Sequence, residues 1–465
     1  MHGAMRARPA VAATLALALT SLSSTARAQN ADQFFFGDEA ALSAGSVVAS
    51  GRDSGAFWYN PSGFGGLQRG MVSASASTFG LRVRKIPRAL RVRIGGQETA
   101  SDLASSDVIS VPNAIVAATK LTDRLALAGG LLVTARDIRS ALVSVPEAER
   151  VAADGTPIAL SQRLDMQADS AKYHFGAALA AALSSQLRLG AAVYGTYTKA
   201  TDSVQYALFA RSGGPTPTDE RAFITQSARV TGSAFGAAAS VGVQWEASSL
   251  VSLGFTIRSP EVAITASTEG GAVLAQASAG GTDPATASLE EQLPPQLAAG
   301  GKLVAPARAL AGIAFALGPP QSWLEIGVDA AHGLPASSVT PDAQQPTFNG
   351  RVGMRYMLSP SWIVGGGLFS DRATLRRLSD FIASDRVDYY GLTAGVSKRT
   401  PLALVQDPSP EALVLVTTLS LRSSVGFGQA RALTLDLDQP DLPRDDRSDV
   451  TFFEVMPYLG SSVVF

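Results

Sequence analysis

Apolar and polar residues alternate with a period of two through most of this chain. In residues 187–198 the odd positions are Leu, Leu, Ala, Val, Gly and Tyr, and the even ones Arg, Gly, Ala, Tyr, Thr and Thr. One face is apolar and the other small or polar, the mark of a strand with two different surroundings. Val251, Leu253, Phe255 and Ile257 alternate in the same way with Ser252, Gly254, Thr256 and Arg258. Leu125, Leu127, Leu131 and Val133 do so against Arg124, Ala126, Ala128 and Thr134. Leu324, Ile326 and Val328 face away from Trp323, Glu325, Gly327 and Asp329, and Tyr390, Leu392, Ala394 and Val396 from Asp388, Thr393, Gly395 and Ser397. The pattern predicts an all-β fold.

Spacing decides between a soluble sandwich and a membrane barrel. The predicted strands run to about ten residues, enough to cross hydrocarbon at a tilt of roughly 45°. Short turns such as 246–249 and 358–361 are predicted on one side. Long polar insertions are predicted on the other, over 140–168, 211–222, 268–296, 331–346, 371–386 and 428–450. That division is the layout of an outer-membrane barrel. Trp245, Trp323, Trp362, Tyr389 and Tyr390 flank predicted turns, where a membrane interface holds amphipathic rings. Counting back by twos from Phe465 gives Val463, Ser461, Leu459, Pro457, Val455 and Phe453, which resembles the terminal-phenylalanine signal of such barrels. Among the more apolar later runs, residues 309–317 end at Gly318-Pro319-Pro320, too short for a spanning helix. Backbone groups in hydrocarbon must be paired internally. The prediction is therefore a transmembrane antiparallel outer-membrane β-barrel of about 14 strands.

Composition sharpens this. Charged residues are 17% of the 465 and apolar ones 46%, low in charge for a soluble protein. Residues 1–28 carry Arg6 and Arg8, an apolar run and Ala26-Arg27-Ala28, and are predicted to be a signal peptide cut before Gln29. Its removal takes three arginines and no acids, leaving 35 basic against 39 acidic residues and a net charge of −4. That mild acidity argues against nucleic acid as a partner. The absence of cysteine excludes disulfides, thiolate chemistry and cysteine-bound metal.

Residues 37–67, GDEAALSAGSVVASGRDSGAFWYNPSGFGGL, break the alternation. So many small side chains suit neither a strand nor an amphipathic helix, but they let a segment fold compactly with close backbone approach. Asn60-Pro61 favours a turn that redirects the chain. The expected organisation is a signal peptide (1–28), an N-terminal hatch that plugs the lumen (29–68) and a barrel (69–465).

The order of these parts resembles the long-chain fatty-acid transporter (FadL-type) family of outer-membrane proteins, which includes toluene and xylene channels. Ala44-Gly45-Ser46-Val47-Val48-Ala49 with Asp53, and Asn60-Pro61-Ser62 where the family usually has Asn-Pro-Ala, carry the resemblance. So do residues 253–260 (LGFTIRSP), residues 293–297 (LPPQL), and Arg351-Val352-Gly353 with Tyr356. The resemblance implies passive uptake of long-chain fatty acids or similar apolar compounds across the outer membrane of a Gram-negative bacterium. It further implies a hydrophobic pocket, a lumenal hatch and an opening in the wall through which the ligand leaves sideways. Asn60, Pro61 and Ser62 would sit at the junction of hatch and wall. The implied partners are outer-membrane lipid, lipopolysaccharide and a hydrophobic small molecule. The alternatives are a carrier or assembly component of a secretion machine, whose small-residue N-termini also end in Asn-Pro, and a general porin.

Other chemistry finds little support. His174 and His332 are the only histidines after residue 28, and neither stands in a metal-ligand spacing. Gly365-Gly366-Gly367 lies within a strand pattern, where it relieves crowding or permits curvature. Residues 441–449 are read as a solvated outer loop. No catalytic residue, metal or cofactor is expected, and the chain is not read as an enzyme.

Overall fold

The structure, a computed structural model, describes residues 30, 34–94, 96–151, 157–212, 220–279, 285–298, 302–337, 343–378, 385–402, 413–436 and 446–465. The predicted signal peptide and most of the predicted charged loop 441–449 lie outside them. Residues 34–66 contain two short helices, α1 (Asp38–Leu42) and α2 (Ala56–Tyr59), and a 3-10 turn, Pro61–Gly66. Strands follow in unbroken succession: β1 (Met71–Ile94), β2 (Gln97–Lys120), β3 (Leu125–Val151), β4 (Pro157–Ala182), β5 (Leu187–Ser212), β6 (Glu220–Glu246), β7 (Val251–Arg258), β8 (Glu261–Ala279) and β9 (Ala285–Ala298). Then come β10 (Leu303–Ala305), β11 (Arg308–Ala316), β12 (Trp323–Ala331), β13 (Thr347–Ser359), β14 (Trp362–Asp371), β15 (Asp385–Leu402), β16 (Leu413–Arg431), β17 (Leu433–Asp436) and β18 (Arg447–Val464).

These pieces make a closed antiparallel barrel of 14 strands. Ser259-Pro260 interrupts one wall strand between β7 and β8, and Pro306-Ala307 interrupts its neighbour between β10 and β11. A proline cannot donate to the ladder, so the two breaks fall side by side and bend the wall there. The ring closes where β18 pairs with β1 from Met71↔Val464 to Lys85↔Thr451, and the Phe465 N–H donates to the Gly70 carbonyl at 2.9 Å.

The alternation predicted from sequence sorts the two faces as expected. Leu189, Val193, Leu253, Phe255, Ile257, Ile326, Val328, Leu392 and Leu459 are exposed on the outside, while Arg188, Ala192, Tyr194, Thr256, Glu325 and Asp329 are buried within. Together the outward residues form an apolar belt. On β1 and β18 it runs from Val72 to Val83 and Phe453, and Lys85 and Thr451 mark its far rim. That height matches a hydrocarbon crossing.

Three expectations are corrected. Residues 140–168 and 268–296 are mostly strand: β3 through β6 run 26 or 27 residues and rise far beyond the belt. Polar strands are stable there because water covers their outer face. Tyr389 turns inward and is buried, while Tyr390 faces out; Trp245 and Trp362 stay exposed near the short turns, and Trp323 is half-buried. Finally, the alternation read through Val133 breaks at that residue, with Leu132, Val133 and Thr134 all buried.

Candidate functional site

Residues 34–66 lie inside the ring, since they touch inward-facing groups on strands all around it. Asn60 anchors them. Its side-chain N–H groups donate to the Val48 carbonyl at 2.8 Å and to the Val243 carbonyl on β6 at 3.0 Å, and its oxygen accepts from the Ser62 amide and hydroxyl. Asn60 thereby caps the 3-10 turn, with Pro61 in the first position, where a missing N–H costs nothing. Pro61 and Ser62 press on β5 so closely that a Cβ on Gly190 would stand 2.3 Å from the Ser62 nitrogen; one on Gly242 of β6 would stand 2.0 Å from Asn60 Oδ1. The three sequence-predicted residues thus meet the wall at β5 and β6, far along the ring from β1, where the chain enters it.

The same fit recurs around the ring. Inward glycines on other strands face the segment's backbone: Gly254 meets the Val48 carbonyl, Gly353 the Ser43 carbonyl, and Gly365 and Gly367 meet Leu42 and Ala44. The glycine run of β14 therefore makes room for the segment, and the small residues of 37–67 have partners of their own kind.

Polar groups complete the seat. Glu325 on β12 accepts from the amides of Ala49 and Ser50, each at 3.0 Å, and from the Ser50 hydroxyl at 2.6 Å. Arg355 donates to Ser50 and pairs with Glu39 at 2.6 Å. Arg258 lies 3.5 Å from the centre of the Trp58 ring and donates to the Trp58 carbonyl. Asp53 accepts from the amides of Glu39 and Gly55. Burial pushes the Asp53 carboxyl well above the usual carboxylate range, and the neighbouring Glu39 and Asp38 push the same way. Burial likewise raises Asp38, against hydrogen bonds from Ser462 and Tyr458. Phe34, Phe35 and Phe36, which the sequence reading passed over, are buried; Phe35 packs edge-on against Phe369, and Phe36 against Trp58. Three consecutive aromatics before a helix start were the available signal.

Cavities border the segment on both sides. One of about 260 Å³ lies toward the short turns, among Asp38, Arg52, Asp53, Leu42, Met71 and Val464. One of about 150 Å³ lies toward the long connections, among Trp58, Thr134, Lys172, His174, Glu261 and Pro306. There the His174 Nδ1 faces the Thr134 hydroxyl at 2.9 Å, and Lys172 pairs with Glu261 at 2.5 Å. His332 is remote, near the Ala307 carbonyl. Among the described residues, no group of His, Asp and Glu side chains is arranged to hold a metal. Further out the lumen is lined by an apolar cluster that includes Leu103, Val143, Leu164, Tyr206, Val230 and Phe452.

The wall is not stitched everywhere. β2 pairs with β1 along its length, and β3 with β4 along its own, but β2 pairs with β3 only from Ala114↔Leu132 to Lys120↔Ala126. Beyond that point residues 97–113 and 133–151 face each other with no ladder among the described residues. Pairing stops where three strands change phase together: β1 shifts register between Ser75 and Gly80, β2 bulges at Pro112-Asn113, and β3 between Val133 and Ala135. A bulge bends its strand and reverses which residues face in. Val83, near the rim of the belt, pairs with Ser106, so the part of the slit along residues 106–113 of β2 lies within the apolar belt. At its far end the Ser101 hydroxyl donates to the Ser144 carbonyl at 3.1 Å.

No protein-family model and no curated protein matches the sequence. Solved structures do match the fold. A crystal structure of a FadL homologue from Pseudomonas aeruginosa superposes with a TM-score of 0.53 at 12% identity, over 94% of this chain and 99% of that one. The P. putida toluene transporter TodX superposes with a TM-score of 0.50 at 12% identity, over 92% of this chain and 98% of that one. The chain thus shares the fold of these barrels over more than nine tenths of its length.

Proposed function

We propose that this protein is an outer-membrane channel for passive uptake of hydrophobic molecules, such as long-chain fatty acids or similar apolar compounds. Residues 29–68 act as its hatch, and the slit between β2 and β3 as its exit into the membrane. The observation that carries this reading is the slit itself. An unpaired strand edge is costly against lipid, and a wall that leaves one open at the height of the apolar belt has a use for it. An apolar molecule gathered by the outer lining of the lumen then reaches hydrocarbon without crossing a water-filled pore. The fold it shares with a FadL homologue and with a toluene transporter supports the same reading. A general porin needs an open aqueous lumen, whereas here residues 34–66 bond across to β6, β12, β13 and β18. Outer-membrane lipid and lipopolysaccharide surround the belt in this reading.

The test is uptake of a labelled long-chain fatty acid and of a labelled aromatic hydrocarbon by cells lacking their own transporter. Uptake with the intact chain, altered when residues 37–58 are deleted from barrels that still assemble, is the expected result. A correctly inserted barrel that moves neither probe would overturn the proposal and favour an assembly role.

A further inference from the structure

The loop-side half of β3 does not merely stop pairing with β2; its inward side chains reach past it to β1. Arg82 and Arg84 are buried on the inward face of β1, and both donate to one oxygen of Asp137 on β3, at 2.8 and 2.6 Å. A side chain of β3 can reach β1 past β2 only from the lumen side. Arg139, also on β3, donates to the other Asp137 oxygen at 2.6 Å and to Asp385 on β15, across the lumen, at 2.7 Å. Arg82 pairs in turn with Glu454 on β18 at 2.5 Å, and Arg84 stands 3.8 Å from Asp107 on β2. Asp137 is thus the point where ties from β1, β3 and, through Arg139, β15 converge, at the height of the outer rim of the belt.

We propose that Asp137 is a positioning residue, the pin that holds β3 inward and keeps the slit open. Two free strand edges side by side gain a hydrogen bond for each group they pair, and pairing is favoured most where water is scarce. Left alone, the slit should zip. Buried charges oppose this, because Asp137 cannot leave its three arginines without stranding buried charge. The bulge between Val133 and Ala135 sets the phase that points Asp137 and Arg139 into the lumen. Bulge and pin act together: one turns β3 inward, the other keeps it there.

The functional part of this proposal rests on the lateral route proposed above; the structural part does not. Hydrogen exchange on the full-length barrel in lipid vesicles, together with cellular uptake of the same apolar probe, separates the two. In Asp137→Asn, the amides of residues 102–111 and 136–144 should exchange about tenfold more slowly or better, as newly hydrogen-bonded amides do, and uptake should be lost. A merely structural role predicts the opposite, faster exchange in this region, and that result, or no change on either edge, overturns the pin. Slower exchange at both edges with undiminished uptake leaves the pin standing and overturns the lateral route. Should Asp137→Asn fail to assemble, the double variant Arg139→Gln/Asp385→Asn cuts the tie across the lumen while Asp137 keeps its two arginines on β1. Partial slowing at the same amides is then expected, and unchanged exchange there overturns the pin as well.

Discussion

The seam between β4 and β5 and the seam between β2 and β3 join strands of similar length, yet they are opposites. The first is paired without interruption from Ile158↔Ser212 to Ala182↔Arg188, and the next seam, β5 to β6, is paired just as fully. The second is paired only between 114–120 and 126–132. The continuous seams form a rigid bed on which Asn60, Pro61 and Ser62 rest, through glycines that let the inner segment come within backbone distance. The broken seam carries bulges, a proline and a network of buried charge. One side of the barrel is built to hold a segment still, and the other to stay apart.

The largest expected difference is in exchange. Amides within 189–197 of β5 should be protected over those on the free edge of β2, within 102–111, by several orders of magnitude, the span between global and local opening. Equal protection at the two sites would mean that the slit closes in the membrane. A matched pair of substitutions tests the bed next. Gly242→Val would drive a side chain into Asn60 Oδ1, and the four hydrogen bonds made by Asn60 are worth roughly 1 kcal/mol each. The segment should lift, and single-channel conductance in planar bilayers should rise. On β3, by contrast, a Cβ at Gly129 meets only the Gly176 carbonyl, at 3.5 Å. Gly129→Val should leave conductance at the wild-type value, and a rise there as large as in Gly242→Val would sink the idea of a specific bed.

Smaller still is a pH effect within the bed. Burial raises the pKa of both Asp38 and Asp53 on folding. A raised acid pKa contributes stability that is complete below the ordinary carboxylate value, about 4, and is lost as pH rises toward the folded value. Each such proton is worth at most about 1.4 kcal/mol per pH unit in that window. The segment should therefore sit tighter in mild acid than at neutral pH. After correction for intrinsic rates, the Glu39 and Gly55 amides should exchange more slowly as pH falls, and Asp53→Asn should flatten the trend. A seat that loosens in acid would reverse the sign and refute this account.

Much of this was legible in the sequence, and the part that was not has a physical cause. Alternation fixed which residues face lipid because one face meets hydrocarbon along every strand. The small residues of 37–67 signalled close packing, and the inward glycines of β5, β6, β7, β13 and β14 supply its other half. The slit was hidden because it depends on register. Residues 125–134 read as one unbroken alternation, and only pairing with β4 reveals the extra residue that reverses the phase after Val133. Asp137, just ahead of the segment read as loop, is an ordinary polar residue until Arg82 and Arg84, more than fifty positions earlier, are brought against it. Segments 140–168 and 268–296 were read as loops because strands that rise into water need no apolar outer face, so their polarity imitates a loop.

The smallest effect concerns the far end of the slit. There a single hydrogen bond, from Ser101 to the Ser144 carbonyl, ties β2 to β3 at an exposed position. Water competes for both partners, so the bond is worth no more than about 1 kcal/mol. Ser101→Ala should change uptake by less than about twofold, and amides 102–111 should exchange at nearly the wild-type rate, since the buried charges around Asp137 lie between this bond and the membrane. If this one hydroxyl instead governs uptake, the slit is set from its outer tip, and Asp137 loses its role as the determinant of how far β2 and β3 stand apart.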